Sequence, residues 1–232
     1  MKIIAFTFAG GSRYSFQMFS KKISHFIVEE YPGRGLRIKE KLLTEIDMII
    51  EDLLPKVIKE IETTKEYIIY GHSMGALIGF LICHRLQELE IKSPLKLVVS
   101  GRNDPSLKRD KKIADLPNIQ FWEEVIKIGG IPDELKKHPE LIDFYVPILK
   151  ADFKAIEDYH YEKSEKLKVP IDVFYGKSEG ISENEIEGWK NHSTEKVVLN
   201  SLEGNHFFIY DNESFFVNYF ESLTTNIHIP IN

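Results

Sequence analysis

Ser73 is the residue whose surroundings point most directly to chemistry. It lies in Tyr70-Gly71-His72-Ser73-Met74-Gly75-Ala76, a Gly-x-Ser-x-Gly run between two different hydrophobic patterns. Tyr67-Ile68-Ile69-Tyr70 is aromatic and β-branched and reads as a short buried strand. Ala76-Leu77-Ile78-Gly79-Phe80-Leu81-Ile82-Cys83 is apolar all round and reads as a buried helix. A serine on a sharp strand-to-helix turn has its hydroxyl pushed out at the end of a sheet, with free helix N–H groups beside it. Glycine is expected at 71 and 75 because a Cβ at either place would meet the neighbouring strand or helix.

A serine hydroxyl is a weak nucleophile at neutral pH, so it needs a base, and the base needs an orienting acid. In hydrolases built on such an elbow the histidine follows the last strand and the acid precedes it in the chain. Of the eight histidines, His206 in Gly204-Asn205-His206-Phe207-Phe208 has this setting, between a strand-like run and a final helix. His72 adjoins the serine, but neighbours on such a turn point apart. His25, His84, His138, His160, His192 and His228 have no comparable setting. For the acid, Glu179 follows the strand Ile171–Tyr175 and is preferred. Asp104, at the end of the preceding strand, is the alternative. Two backbone donors must face the developing oxyanion. Met74 supplies one, and the loop Phe8-Ala9-Gly10-Gly11-Ser12 the other, with Ala9 first and Gly10 next.

These residues need a scaffold, and the patterns supply one. Strand-like runs at Lys2–Phe8, Phe26–Tyr31, Tyr67–Tyr70, Lys96–Ser100, Ile171–Tyr175 and Lys196–Ser201 alternate with helical ones. The clearest helical stripe is Ile46, Ile49, Ile50, Leu53, Leu54, Val57, Ile58 and Ile61. Pro55 within it predicts a kink or restart. Such alternation predicts an α/β fold, a mostly parallel central sheet with helices on both faces. From about 103 to 168 the rhythm breaks into helical stretches (Ile119–Ile128, Pro139–Phe153) around a Gly129-Gly130-Ile131-Pro132 turn. This is a helical insertion placed to act as a lid.

The chain has 232 residues, 43% hydrophobic and 28% charged, with a net charge of −6. That fits one domain over 1–232 and gives no reason to expect nucleic acid or an anionic membrane as partner. The single cysteine, Cys83, lies in the apolar run, so no internal disulfide forms and a reducing, cytoplasmic setting is expected. Met1–Phe8 is too short for a signal segment and reads as the first strand, and no run reaches transmembrane length. No ligand-spaced cluster of His, Cys, Asp and Glu suggests a metal.

Taken in order, several segments resemble the stand-alone type II thioesterases that accompany nonribosomal peptide and polyketide synthases. They are Phe8-Ala9-Gly10-Gly11-Ser12, Tyr31-Pro32-Gly33-Arg34-Gly35-Leu36-Arg37, the elbow, Ser100-Gly101-Arg102, Gly129 to Pro132, Pro147 to Phe153, and the His206 loop. The resemblance implies an α/β-hydrolase fold and hydrolysis of acyl thioesters on the phosphopantetheine arm of carrier proteins, with an editing role and no cofactor of its own. Where the family usually has aspartate this chain has Glu179. Where arginine is usual in the lid it has Lys150, which would weaken bidentate pairing there. Carrier domains are acidic, so Arg13, Arg34, Arg37, Lys108 and Arg109 are candidate docking residues on a monomer. A small-ester hydrolase, an acyltransferase and a non-catalytic synthase-docking protein are the alternatives.

Overall fold

Strands form at all the expected places, with some ends shifted by one or two residues. The computed structural model describes residues 1–107, 111–129, 139–162 and 165–225. The strands are β1 (Lys2–Phe6), β2 (Phe26–Glu29), β3 (Tyr67–His72), β4 (Lys96–Ser100), β5 (Ile171–Gly176) and β6 (Val197–Leu202). They make one six-stranded sheet in the order β2-β1-β3-β4-β5-β6, and every neighbouring pair is parallel. β1 stops at Phe6, short of Phe8, because the chain then closes a turn in which Gly11 N–H donates to the Phe8 carbonyl (2.9 Å). β2 stops before Tyr31, which turns inward to donate its hydroxyl to the Thr7 carbonyl (2.8 Å).

The period-two alternation of strands divides the core into two layers. Ile4, Phe6, Ile69, Leu97, Val99, Ile171 and Val173 face one cluster, while Ile3, Ala5, Ile68, Tyr70, Val98 and Phe174 face the other. The first layer is covered by α1 (Ile46–Glu62) and α2 (Met74–Glu88), and the second by Phe16, Phe19 and the final helix. α1 buries Ile46, Ile49, Ile50, Leu53, Val57 and Ile61 on one face. Each such side chain contributes about 1.5–3 kcal/mol relative to exposure. The helix is unbroken through Pro55, contrary to the expected restart. Pro55 is exposed, so the carbonyl left without an N–H partner can bond to water instead.

The insertion carries α3 (Asn118–Ile128) and α4 (Pro139–Asp158), which meet in a third cluster built on Phe121, Trp122, Val125, Val146, Leu149 and Phe153. Glu157 on α4 accepts the amides of Ile113 (2.8 Å) and Ala114 (3.1 Å), which fastens the insertion to itself. Gly129 ends α3 at φ 89°; the rest of the expected turn, Gly130 to Pro132, lies outside the described residues, as do His138, His228, Lys108 and Arg109. After β6 the chain forms one turn of helix at Phe208–Asp211 and then α5 (Glu213–Thr225).

The helix α2 sits on the sheet at backbone contact distance. A Cβ on Gly71 would overlap the Gly75 carbonyl, and a Cβ on Gly75 would overlap the Phe6 carbonyl. Backbone cannot yield as a side-chain tip does, so Gly75→Ala is expected to cost at least about 3 kcal/mol, the upper end of overpacking penalties. Gly180→Ala, at φ 78° with nothing within 4 Å of its Cβ, is expected to cost only about 1 kcal/mol. Urea unfolding of the two variants checks this, and equal losses would contradict the close-approach account.

Candidate active site

The serine of the elbow is held in a conformation that an ordinary residue avoids. Ser73 has φ 57° and ψ −112°, between the end of β3 and the first turn of α2. Such a conformation costs on the order of 1–3 kcal/mol and persists only where its surroundings fix it. Here Ser73 N–H donates to the Ser100 carbonyl of β4 (2.8 Å), and the glycines on either side let strand and helix close on the turn.

His206 and Glu179 come to the same place from the loops after β6 and β5. His206 Nε2 lies 3.0 Å from Ser73 Oγ, and His206 Nδ1 lies 2.5 Å from Glu179 Oε1. The second carboxylate oxygen accepts Gly176 N–H (3.0 Å), which aims the first at the imidazole. Ser178 N–H donates to the Gly204 carbonyl (2.9 Å) and binds the two loops to each other. Phe207 meets the His206 ring edge-on at 5.0 Å, while Phe208 turns into the core. The Glu179 side chain is only 2% exposed and that of His206 16%.

Asp104, the alternative acid, is engaged elsewhere. Its Oδ1 is 2.6 Å from Nε2 of His192 and accepts the amide and hydroxyl of Ser106 (both 2.8 Å). His192 Nδ1 in turn faces Tyr161 Oη at 2.9 Å. Burial acts to raise the Asp104 pKa, but His192 and Ser106 outweigh it and hold the carboxyl below its ordinary value. His192 carried no local signal of this partner, since 88 residues separate the two.

On the other side of Ser73, Ala9 and Gly10 occupy the turn after β1 and line the same cavity as the serine. The amide of Gly10, the second choice as oxyanion donor, is already given to Asp152 Oδ2 (2.7 Å). No bond leaves the amides of Ala9 or Met74 among the described residues. Asp152 also forms a two-point ion pair with Arg34, at 2.5 and 2.7 Å, and both side chains are almost fully buried. Burial acts against the Arg34 charge, yet Asp152 more than compensates and holds the guanidinium above its usual pKa. Arg34 is therefore withdrawn from any docking surface, contrary to expectation. Arg37 is largely committed as well, to Asp52 and Glu40. In the insertion, Lys150 donates to the Leu116 carbonyl, and the bidentate pairing belongs to Asp152. A carboxylate on the apolar stripe Leu149, Phe153 and Ile156 was the sequence signal for a buried partner.

The cavity has a volume of about 570 Å³ and an apolar wall that includes Trp122, Val125, Phe144, Ile148, Leu149 and Phe153. A second cleft, about 580 Å³, meets it at Ser73 and His206 and is lined by Arg102, Asn103, Lys111, Lys127 and Ser178. Among the described residues no group of three or more His, Cys, Asp and Glu could hold a metal, and no helix is long and apolar enough to cross a membrane.

His72 packs against this set without joining it. Its Nδ1 lies 2.8 Å from Ser100 Oγ, and its ring centroid is 5.2 Å from that of His206. Complete burial, then the neighbouring His206, push its pKa well below the ordinary histidine value. It stays neutral when folded but takes a proton near pH 6.5 when unfolded. Folding stability therefore falls as pH drops below about 6.5, with a slope of up to about 1.4 kcal/mol per pH unit from this residue. His72→Gln is expected to flatten the profile between about pH 5 and 6.5 in urea unfolding. An unchanged slope would remove His72 as the cause.

Comparison with known proteins identifies the family. The thioesterase domain model matches residues 1–224. The gramicidin S biosynthesis protein GrsT of Aneurinibacillus migulanus is 29% identical over 224 residues, 92% of this chain and 84% of that protein. The medium-chain S-acyl fatty acid synthase thioesterase of Rattus norvegicus is 28% identical over 228 residues, 94% and 86% of the two chains. Among solved structures, the RedJ thioesterase from the prodiginine pathway of Streptomyces coelicolor superposes with a TM-score of 0.87 at 26% identity, covering 95% of this chain and 89% of that one. ClbQ from the colibactin NRPS/PKS pathway gives 0.89 at 25% identity, covering 97% of each. An elbow serine within reach of a late histidine, on a parallel sheet that these thioesterases share, agrees with the match along nearly the whole sequence: the chain belongs to the thioesterase domain family and is a serine hydrolase of the α/β-hydrolase fold.

Proposed function

We propose that this enzyme hydrolyses acyl thioesters on the phosphopantetheine arm of acyl or peptidyl carrier proteins in nonribosomal peptide or polyketide synthesis, clearing stalled or wrongly primed acyl groups. The observation that carries the reading is the position of Ser73 and His206 where an apolar cavity meets a second cleft with more polar groups on its wall. An acyl chain suits the first and a pantetheine arm the second. Lys111 and Lys127, both mostly exposed at that cleft, share the single carboxylate of Glu124 and so leave a net positive charge for an acidic carrier to meet, in place of Arg34 and Arg37. The enzyme works as a cytoplasmic monomer, one domain over 1–232 with the insertion as its lid, and needs no cofactor of its own.

In this reading His206 is neutral, with its proton on Nδ1 and directed at Glu179, so Nε2 accepts the proton of Ser73 as Oγ attacks the thioester carbonyl. Glu179 stabilises the imidazolium that results. The neutral state of His72 spares that imidazolium a second positive charge at its face. The amides of Met74 and Ala9 hold the oxyanion, and the N-terminus of α2 adds its partial positive charge. Collapse breaks the C–S bond, and the pantetheine thiolate takes the proton from His206. Water, deprotonated by the same imidazole, then attacks acyl-Ser73; collapse breaks the bond from the acyl carbon to Oγ, His206 returns the proton to Oγ, and the carboxylic acid leaves. A second reading, release of a finished medium-length acyl chain, draws on the apolar cavity and on the likeness to the rat medium-chain thioesterase.

The test is release of acyl groups from a panel of acyl-phosphopantetheinyl carriers. Ser73→Ala should abolish turnover. Glu179→Gln should lower kcat by about 10³–10⁴-fold, as expected when a histidine loses its orienting carboxylate. Asp104→Asn should leave the folded enzyme within a few-fold of wild type. A larger loss from Asp104→Asn than from Glu179→Gln would move the acid to β4, and carrier binding without any release would favour a docking protein. Preference for long over short chains would favour product release over editing. Val125→Trp, which fills the apolar cavity, should lower kcat/KM for the longest acyl chain accepted by at least about tenfold and spare acetyl. Equal loss on both would place the acyl chain elsewhere.

A further inference from the structure

The central peptide of the turn after β1 is hydrogen-bonded by a side chain from the insertion, Asp152. Gly11 N–H closes the turn onto the Phe8 carbonyl at 2.9 Å, with Ala9 and Gly10 as its central residues and Gly10 at φ 78°. This is the backbone of a type II turn, which differs from type I chiefly by a flip of the central peptide. The N–H of that central peptide belongs to Gly10 and is bound by Asp152 Oδ2 at 2.7 Å. In the flipped turn the Ala9 carbonyl would face the carboxylate instead, so Asp152 selects one facing of the peptide.

Asp152 is itself immobilised. Its two oxygens receive both terminal nitrogens of Arg34, and the Arg34 guanidinium lies 5.1 Å from the centre of the Tyr31 ring. Tyr31 in turn holds the Thr7 carbonyl, just before the turn. Leu149, one helical turn before Asp152, packs so closely on Gly10 that a Cβ there would strike it. The same face of α4 presents Ile148, Leu149, Phe153 and Ile156 to the apolar cavity.

We infer that Asp152, anchored by Arg34, is a positioning residue for the oxyanion hole: it fixes the turn that presents the Ala9 N–H and ties that turn to the helix forming the wall of the acyl cavity. The inference rests on the reading that Ala9 is an oxyanion donor to a Ser73 adduct. It adds that the donor is competent only while α4 is seated on the turn. A displacement of about 1 Å in such a group is enough to cost about 10²-fold in rate.

Removing one member alone would leave a buried charge without its partner and could unfold the chain. The test therefore uses two double variants. Arg34→Met/Asp152→Leu replaces the pair by apolar side chains and takes away the acceptor for Gly10. Arg34→Gln/Asp152→Asn removes both charges but keeps a carboxamide oxygen for the Gly10 amide. The readout is the rate at which a fluorophosphonate modifies Ser73. That reaction needs the oxyanion hole and the serine but no acyl thioester, so it remains readable even if carrier thioesters prove not to be substrates. With thermal unfolding showing both variants folded, the apolar pair is expected to react about 10²-fold more slowly than wild type. The amide pair is expected to stay within about tenfold. Equal rates for the apolar pair and wild type would overturn the inference. So would equal losses in both variants, which would assign the effect to lost charge.

Discussion

Everything at this site depends on how closely a helix can lie against a parallel sheet. Because all neighbouring strands run the same way, the loops after β1, β3, β4, β5 and β6 leave from one edge, and there segments far apart in the chain meet. Backbone contact between α2 and β1 and β3, possible only with glycine at 71 and 75, places Ser73 at the centre of that edge. The loops bearing Ala9, Glu179 and His206 then have to reach only a few ångströms. A thicker helix–sheet spacing would leave the same residues present and unconnected.

The charges around the serine are arranged so that one proton has a single path. Glu179 faces His206 and little else, with its second oxygen occupied by a backbone amide. His72, the other imidazole within reach, is kept neutral by burial and given to Ser100. Asp152, which holds the turn after β1, has its charge matched by Arg34.

The elements and the elbow serine were legible in the sequence because each is signalled locally. The strand-like alternation, the stripe of α1 and the glycine pair of the elbow all depend on neighbours a few residues away. Chain order alone sufficed to find His206 and to prefer Glu179, whose carboxylate does lie against His206. What could not be read depends on long-range contact. Arg34 looked like surface charge because nothing nearby shows that Asp152 lies on top of it, 118 residues later. Asp104 looked like a rival acid because its partner, His192, comes from a loop with no motif. Pro55 looked like a break because sequence does not show that it faces water.

The imidazole–carboxylate pairs His206–Glu179 and His192–Asp104 have nearly the same length, 2.5 and 2.6 Å. One has Ser73 on the free imidazole nitrogen and faces two cavities; the other has Tyr161 there and packs its ring against Trp189 and Phe80. The side chains are buried to a similar degree, 16% and 2% exposed in the first pair and 7% and 11% in the second, so the pairs differ in the hydroxyl on the far nitrogen and the space beside it. The second pair shows that an imidazole–carboxylate contact of this length is by itself an ordinary structural tie; a serine on a strained turn and open space beside it are what set the first apart.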